Sequence, residues 1–205
     1  MHSKERPTQA HAASGSTGRA LQETALRITN KSTTASRLRE RLRKRYIPDP
    51  VRILFVGESP PASGRFFYQA DSGLYRAVRD TFATAFRLLP KSGFLDSFRS
   101  LGCYLVDLCG QPVDHMTRDA RECACRAGEV RLTRTIRELH PQIMVATVKS
   151  IRQNVRRAQA RAGWSGVYLE LPYPGQWHRN RIEFERRLVP LLRKVLRFAP
   201  APQQT

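Results

Sequence analysis

Residues 51–68 read VRILFVGESPPASGRFFY, and this stretch decides the fold. The apolar run Ile53, Leu54, Phe55 and Val56 stops at Gly57. Glu58 and Ser59 follow, then Pro60 and Pro61, and after a short polar turn the aromatics Phe66, Phe67 and Tyr68. A short unbroken apolar run bounded by glycine and proline predicts a strand buried on both faces, the kind that belongs to a parallel sheet. Open parallel sheets carry their ligand sites beyond the carboxyl ends of the strands. The loop opening at Gly57 is therefore a candidate site, one that holds an acid beside flat hydrophobic surfaces.

Outward from this strand (51–57), helical and apolar segments alternate. Leu74, Val78, Phe82 and Phe86 are spaced as the buried face of a helix over 72–89. The apolar run 103–108 predicts a second strand, and Val130, Leu132, Ile136 and Leu139 mark a helix over 121–139. A third strand at 142–147, a basic helix at 150–162 ended by Gly163, a fourth strand at 167–171 and a helix at 182–197 complete the series. Strands separated by helices predict an α/β protein: a three-layer α/β/α arrangement around a short, mainly parallel, four-stranded sheet. Residues 49–198 are read as one domain. A polar tail (1–34), a basic helix or linker (35–48) and a flexible end (199–205) flank it.

Composition narrows the partners. The chain has 205 residues with 36 Lys and Arg against 17 Asp and Glu, a formal net charge of +19. Such an excess makes a polyanion the default partner, most simply nucleic acid, although arginines also solvate helix faces. The amino-terminal stretch lacks the apolar core of a signal peptide, and no apolar run approaches the ~20 residues that span a bilayer. The expectation is a cytoplasmic protein with reduced thiols, no membrane contact and no obligate protein partner. The loop 174–181, PGQWHRNR, sets Trp177 among basic residues and has the makings of a wedge against DNA.

Taken in order, the loops resemble those of the uracil-DNA glycosylase superfamily, in the layout of the branch whose first motif is Gly-Glu-Ala-Pro-Gly. Gly57-Glu58-Ser59-Pro60-Pro61 stands at the first motif, and Gly64-Arg65-Phe66-Phe67 with Ser72-Gly73-Leu74 resembles the segment after it. Cys125-Arg126, the following helix and His140-Pro141-Gln142-Ile143 fit the middle of that layout. Leu171-Pro172-Tyr173-Pro174-Gly175 stands at the second motif, typically His-Pro-Ser. The resemblance spans about residues 51 to 195. It implies base excision: a damaged, deaminated base is extruded, bound in a pocket and released by hydrolysis of its N-glycosidic bond. On this reading Glu58 and Ser59 are catalytic. Phe67, Gly57 and Asp107, at the position of an asparagine that reads the base edge, bind the base. Arg65, Pro174, Gly175, Trp177, His178, Arg179 and Arg181 meet DNA.

The chain departs from that layout in three places. Leu171 replaces the second-motif histidine, with His178 seven residues on as a candidate substitute. Asp107 replaces an asparagine, and an ionised carboxylate only accepts hydrogen bonds, so it suits a donor such as an exocyclic amine better than uracil O4. The cluster-bearing branch takes two iron–sulfur ligands from an amino-terminal Cys-x-x-Cys, whereas the cysteines here are Cys103, Cys109, Cys123 and Cys125. No cofactor is expected, and a zinc site from Cys109, His115, Cys123 and Cys125 stays open on ligand type alone. Two rival readings follow: a catalytically silent module of the same fold that binds damaged or single-stranded DNA, and an unrelated α/β hydrolase or nucleotide-binding protein with Glu58 and Asp107 as metal ligands. Deletion of residues 1–34 is expected to shift the melting temperature by no more than a degree or two, measured by thermal denaturation.

Overall fold

The computed structural model describes residues 34–90, 92–175 and 177–196. The expectations for the tail up to residue 33 and for residues 197–205 lie outside the described residues. The chain divides into compact units at 1–38 and 39–205. In the larger unit, four strands, β1 (Ile53–Gly57), β2 (Cys103–Asp107), β3 (Ile143–Ala146) and β4 (Val167–Glu170), form one all-parallel sheet in the order β2-β1-β3-β4. Six helices accompany them: α1 (34–45), α2 (Gly73–Ala85), α3 (Phe94–Ser100), α4 (Arg118–Leu139), α5 (Arg152–Ala162) and α6 (His178–Val195). Of α1, the part from Arg39 belongs to the larger unit.

Burial varies across the sheet. β1, β2 and β3 are buried at every residue, as unbroken apolar runs must be when covered on both faces. β4 is half-exposed and takes an edge. Right-handed crossovers put α2 and α3, between β1 and β2, on one face, and α4 and α5, which carry the chain back across to β3 and β4, on the other. The helices pack accordingly, α2 with α6 and α4 with α5, which makes the three-layer α/β/α arrangement read from the sequence. Beneath α2 and α3 lies an aromatic core in which Phe55, Phe82, Phe94 and Phe98 meet at ring separations of 5.5–6.4 Å.

Several boundaries differ from the pattern-based reading. Helix α2 ends at Ala85 rather than continuing to residue 89, since Pro90 lies close ahead and Phe86 is already extended. Helix α3 has no counterpart in that reading: its seven residues give two helical turns, too few for a periodic signal, and Gly93 in the left-handed region starts it. Helix α4 begins at Arg118, three residues early, because the Thr117 hydroxyl accepts from the Ala120 N–H. Val130, read as part of its apolar face, is exposed. The arginines of α5 do not form one free stripe: Arg157 and Arg161 clasp the buried Glu129 of α4, and Arg156 pairs with Glu170.

The edge strand β2 is sealed by one side chain. Tyr68 donates its hydroxyl to the Leu105 carbonyl at 2.9 Å and accepts from the Leu105 N–H at 2.8 Å, standing in for a missing neighbouring strand. That bond anchors the 3-10 turn Phe67–Gln69 and with it Phe66 and Phe67. Burial pushes the Tyr68 phenol well above its ordinary range, so it stays a donor. Tyr68→Phe leaves both backbone groups of Leu105 unsatisfied and is expected to cost about 1–3 kcal/mol, read as a lower urea midpoint with an unchanged m-value.

Candidate functional site

The connections of β1 and β3 leave in opposite directions, to β2 on one side and β4 on the other, so a crevice opens between their carboxyl ends. It is occupied by a cavity of about 660 Å³. Gly57 to Pro61 form one wall, Phe66 and Phe67 with the start of α2 another, and Asp107, Thr147 and Tyr173 close it. The backbone fastens this wall on both sides: Leu108 N–H donates to Gly57 O at 2.8 Å, Cys109 N–H to Glu58 O at 2.7 Å and Thr147 N–H to Val56 O at 3.0 Å. Of the residues expected at a site, Gly57, Glu58, Ser59, Arg65, Phe67, Asp107 and Gly175 all line this one cavity.

Glu58 is held rather than free. Its Oε1 accepts from Arg121 Nε at 2.8 Å and its Oε2 from Arg121 Nη2, a bidentate pair reaching across from α4. Ser150 Oγ lies 3.5 Å away and Cys125 Sγ 4.0 Å away. The hydrogen bond and charge of Glu58 raise the Arg121 guanidinium above its ordinary range, so this cation is permanent. Ser59 accepts from Val113 N–H at 3.4 Å, which binds the loop to the segment after β2.

Asp107 stands opposite Gly57 in the β1–β2 pairing. A Cβ on residue 57 would come within 2.8 Å of Asp107 Oδ1, so glycine is what lets this carboxylate turn toward the cavity. Oδ2 is taken by Arg43 of α1 at 3.0 Å, and both partners are only 7% exposed. Arg43 also lies 5.4 Å above the Phe66 ring and pairs with Glu40. Helix α1 thus supports the site through one buried arginine, where its basic sequence suggested a phosphate-facing or solvated helix. Of Leu38, Leu42 and Tyr46, which the sequence pattern offers as docking residues, Leu42 and Tyr46 pack against the core, Tyr46 stacking on Tyr68 at 5.5 Å, while Leu38 is exposed.

Other expected residues sit elsewhere. Phe67 is 3% exposed, with its ring wedged among Tyr68, Tyr75 and Phe98, so it presents an edge of the core and not a free-standing platform. Leu171 is fully buried, its N–H bonded to Ala146 O. His178, Arg179 and Arg181 fall in the first turn of α6 instead of a loop, because nothing after Gly175 breaks the helix. His178 and Trp177 are exposed and off the cavity wall, Arg181 is ion-paired with Asp80, and Pro174 is buried. Tyr173, Arg76, Arg121 and Asp114 line the cavity without having been singled out. Only the short Tyr-Pro-Gly run marked the first of them in the sequence, where Gly175 packs locally against the Tyr173 ring.

Among the described residues no three His, Cys, Asp or Glu side chains converge as metal ligands. Cys109 and Cys125 do meet, at 3.7 Å, short of the four thiolates of an iron–sulfur cage; Cys103 is buried in β2 and Cys123 is exposed. No helix among the described residues is long and apolar enough to cross a membrane. Compared with known proteins, the chain matches no family model and no curated protein.

Burial pushes the Asp107 carboxyl above its usual range, and Arg43 and Arg131 pull it back only in part. The folded state therefore favours the neutral acid more than the unfolded state does, and this group's contribution to stability falls as pH rises from ~4 through the raised value. Removing Arg43 deepens the penalty on the ionised form. Arg43→Met is expected to lose about 3–5 kcal/mol at pH 8 and clearly less at pH 5, measured by urea denaturation at both; equal losses would show that Asp107 is not the group exposed by the change.

Proposed function

We propose that this protein is a DNA-base N-glycosylase of the uracil-DNA glycosylase type, which hydrolyses the bond between a damaged base and its sugar. The observation that carries the reading is the cavity between the ends of β1 and β3. Its volume of about 660 Å³ suits an extruded nucleotide, and it sets two carboxylates against an aromatic wall within an arginine-bearing rim. Asp107 Oδ1, with Oδ2 committed to Arg43, offers a single acceptor to a ring N–H or exocyclic amine on the base edge. Phe66 and Phe67 border the base. Glu58, fixed by Arg121, supplies a positioned negative charge as the sugar acquires oxocarbenium character, and orients the attacking water. Arg121 Nη1 takes no part in the pair with Glu58, so this guanidinium can offer positive charge to the departing base from the cavity wall. Arg65 and Arg76 on the rim, with exposed Arg179 and Trp177 beyond it, meet the flanking strand.

Two observations favour a second reading, a silent module that binds damaged or single-stranded DNA: Leu171, at the place of the histidine in the glycosylase layout the chain resembles, is buried, and the charge of Glu58 is balanced by Arg121. The test incubates purified protein with single- and double-stranded oligonucleotides carrying uracil, hypoxanthine or xanthine, followed by alkali cleavage at abasic sites. Cleavage of any one base is expected, with Glu58→Gln lowering its rate at least about 100-fold while DNA affinity is retained. Salt-sensitive binding without cleavage selects the silent module, and absence of both removes DNA from the reading.

A further inference from the structure

Behind Glu58 lies a sulfur pair that base excision does not use. Cys109, in the segment after β2, points its Sγ at Cys125 Sγ on α4, 3.7 Å away. Both are buried, and Cys125 Sγ is 4.0 Å from Glu58 Oε1, which itself lines the cavity. The pair therefore stands one side chain removed from a solvent-connected space. Arg121, one helical turn before Cys125 on α4, extends its guanidinium to the same carboxylate. We propose that Cys109 and Cys125 are a reversible dithiol–disulfide pair, oxidised by a hydroperoxide, that staples the segment after β2 to α4 directly behind Glu58.

The two sulfurs have different roles. Cys109 donates its S–H to Cys125, which holds the Cys125 thiol below its ordinary range and that of Cys109 above it; burial and the Glu58 carboxylate oppose the Cys125 thiolate, and Arg121 favours it. Cys125, the sulfur beside the cavity-lining Glu58 and one turn from Arg121, is the one a peroxide in the cavity reaches first, and it serves as the attacking thiolate. Its sulfur forms a bond to one peroxide oxygen as the O–O bond breaks, giving a sulfenic acid and a hydroxide that takes up a proton to leave as water. The Cys109 sulfur then attacks the Cys125 sulfur. The S–S bond forms, the S–O bond breaks, and the hydroxyl departs with the Cys109 proton as a second water. Two thiols are oxidised and one hydrogen peroxide is reduced to two waters.

Bond formation draws the sulfurs from 3.7 Å to about 2.0 Å, which shifts the Cys125 sulfur that borders Glu58 and closes a loop across sixteen positions. The other thiols are unsuited to the same chemistry. Cys103 is enclosed in β2 with its thiol pushed up by burial, and Cys123 lies on the exposed face of α4, pointing away from the buried pair. The redox state of the pair therefore reaches the cavity through the position of Glu58, whichever reaction that cavity performs.

The full chain, reduced and freed of reductant, is titrated with hydrogen peroxide, denatured with an alkylating agent and digested for non-reducing peptide mass spectrometry. The expected result is loss of two free thiols per chain, one linked peptide joining Cys109 to Cys125, reversal by dithiothreitol, and a melting temperature about 5 °C higher in the oxidised protein. In Cys109→Ser the reaction is expected to stop at a dimedone-reactive sulfenic acid on Cys125. Should that variant fail to fold, the linked peptide in the unaltered chain decides alone. Oxidation confined to Cys123, intermolecular dimers, or sulfinic acid at Cys125 without a linked peptide would each overturn the proposal.

Discussion

β1 has neither a free edge nor a free face. Hydrogen bonds to β2 and β3 take both edges, all five residues are buried, and the chain can leave the sheet only at Gly57, where apolar sequence gives way to Glu58. Everything functional depends on that confinement. Because the two neighbours of β1 run parallel to it, three carboxyl ends lie side by side, and Asp107, Glu58 and Thr147 meet around one crevice although they are distant in sequence. Parallel pairing in this register is thus what turns three separate loops into one site.

The polar residues of the site are arranged by arginines from helices that flank it. Arg43 holds Asp107, and Arg121 holds Glu58. Each carboxylate is desolvated by the sheet that positions it, and an ion pair with further hydrogen bonds is the physical means by which such a group is kept. Part of the positive charge that pointed to nucleic acid is therefore spent internally. Arg43, Arg121, Arg157 and Arg161 all pair with acids, so charge counted along the chain overstates the charge available to a polyanion.

The neighbourhood of Glu58 gathers chemistries with different time courses. The carboxylate–guanidinium pair is permanent at ordinary pH, whereas the sulfur pair behind it can exist in two covalent states. Both converge on α4, whose Gly128 packs so closely on Leu108 that a Cβ there would come within 2.3 Å of the Leu108 carbonyl oxygen. Rigid seating of α4 on the end of β2 is what makes a shift of one sulfur felt at the cavity wall.

The sequence by itself determined the architecture. Buried runs such as Ile53 to Val56 and the stop at Gly163 are local signals, because strand burial and helix termination act within a few residues. The loop from Gly57 to Pro61 was legible for the same reason, as was the placing of Arg65 and Asp107 at strand ends and loops. Only the tertiary structure decided what these groups touch. Asp107 facing Gly57, Arg43 arriving from sixty-four positions away, and the meeting of Cys109 with Cys125 all depend on register and on helix seating across the sheet. Phe67 makes the same point: an aromatic after a glycine-rich loop looks alike in sequence whether it stands free or, as here, closes a core, since the difference lies in the rings of Tyr75 and Phe98 brought against it by folding.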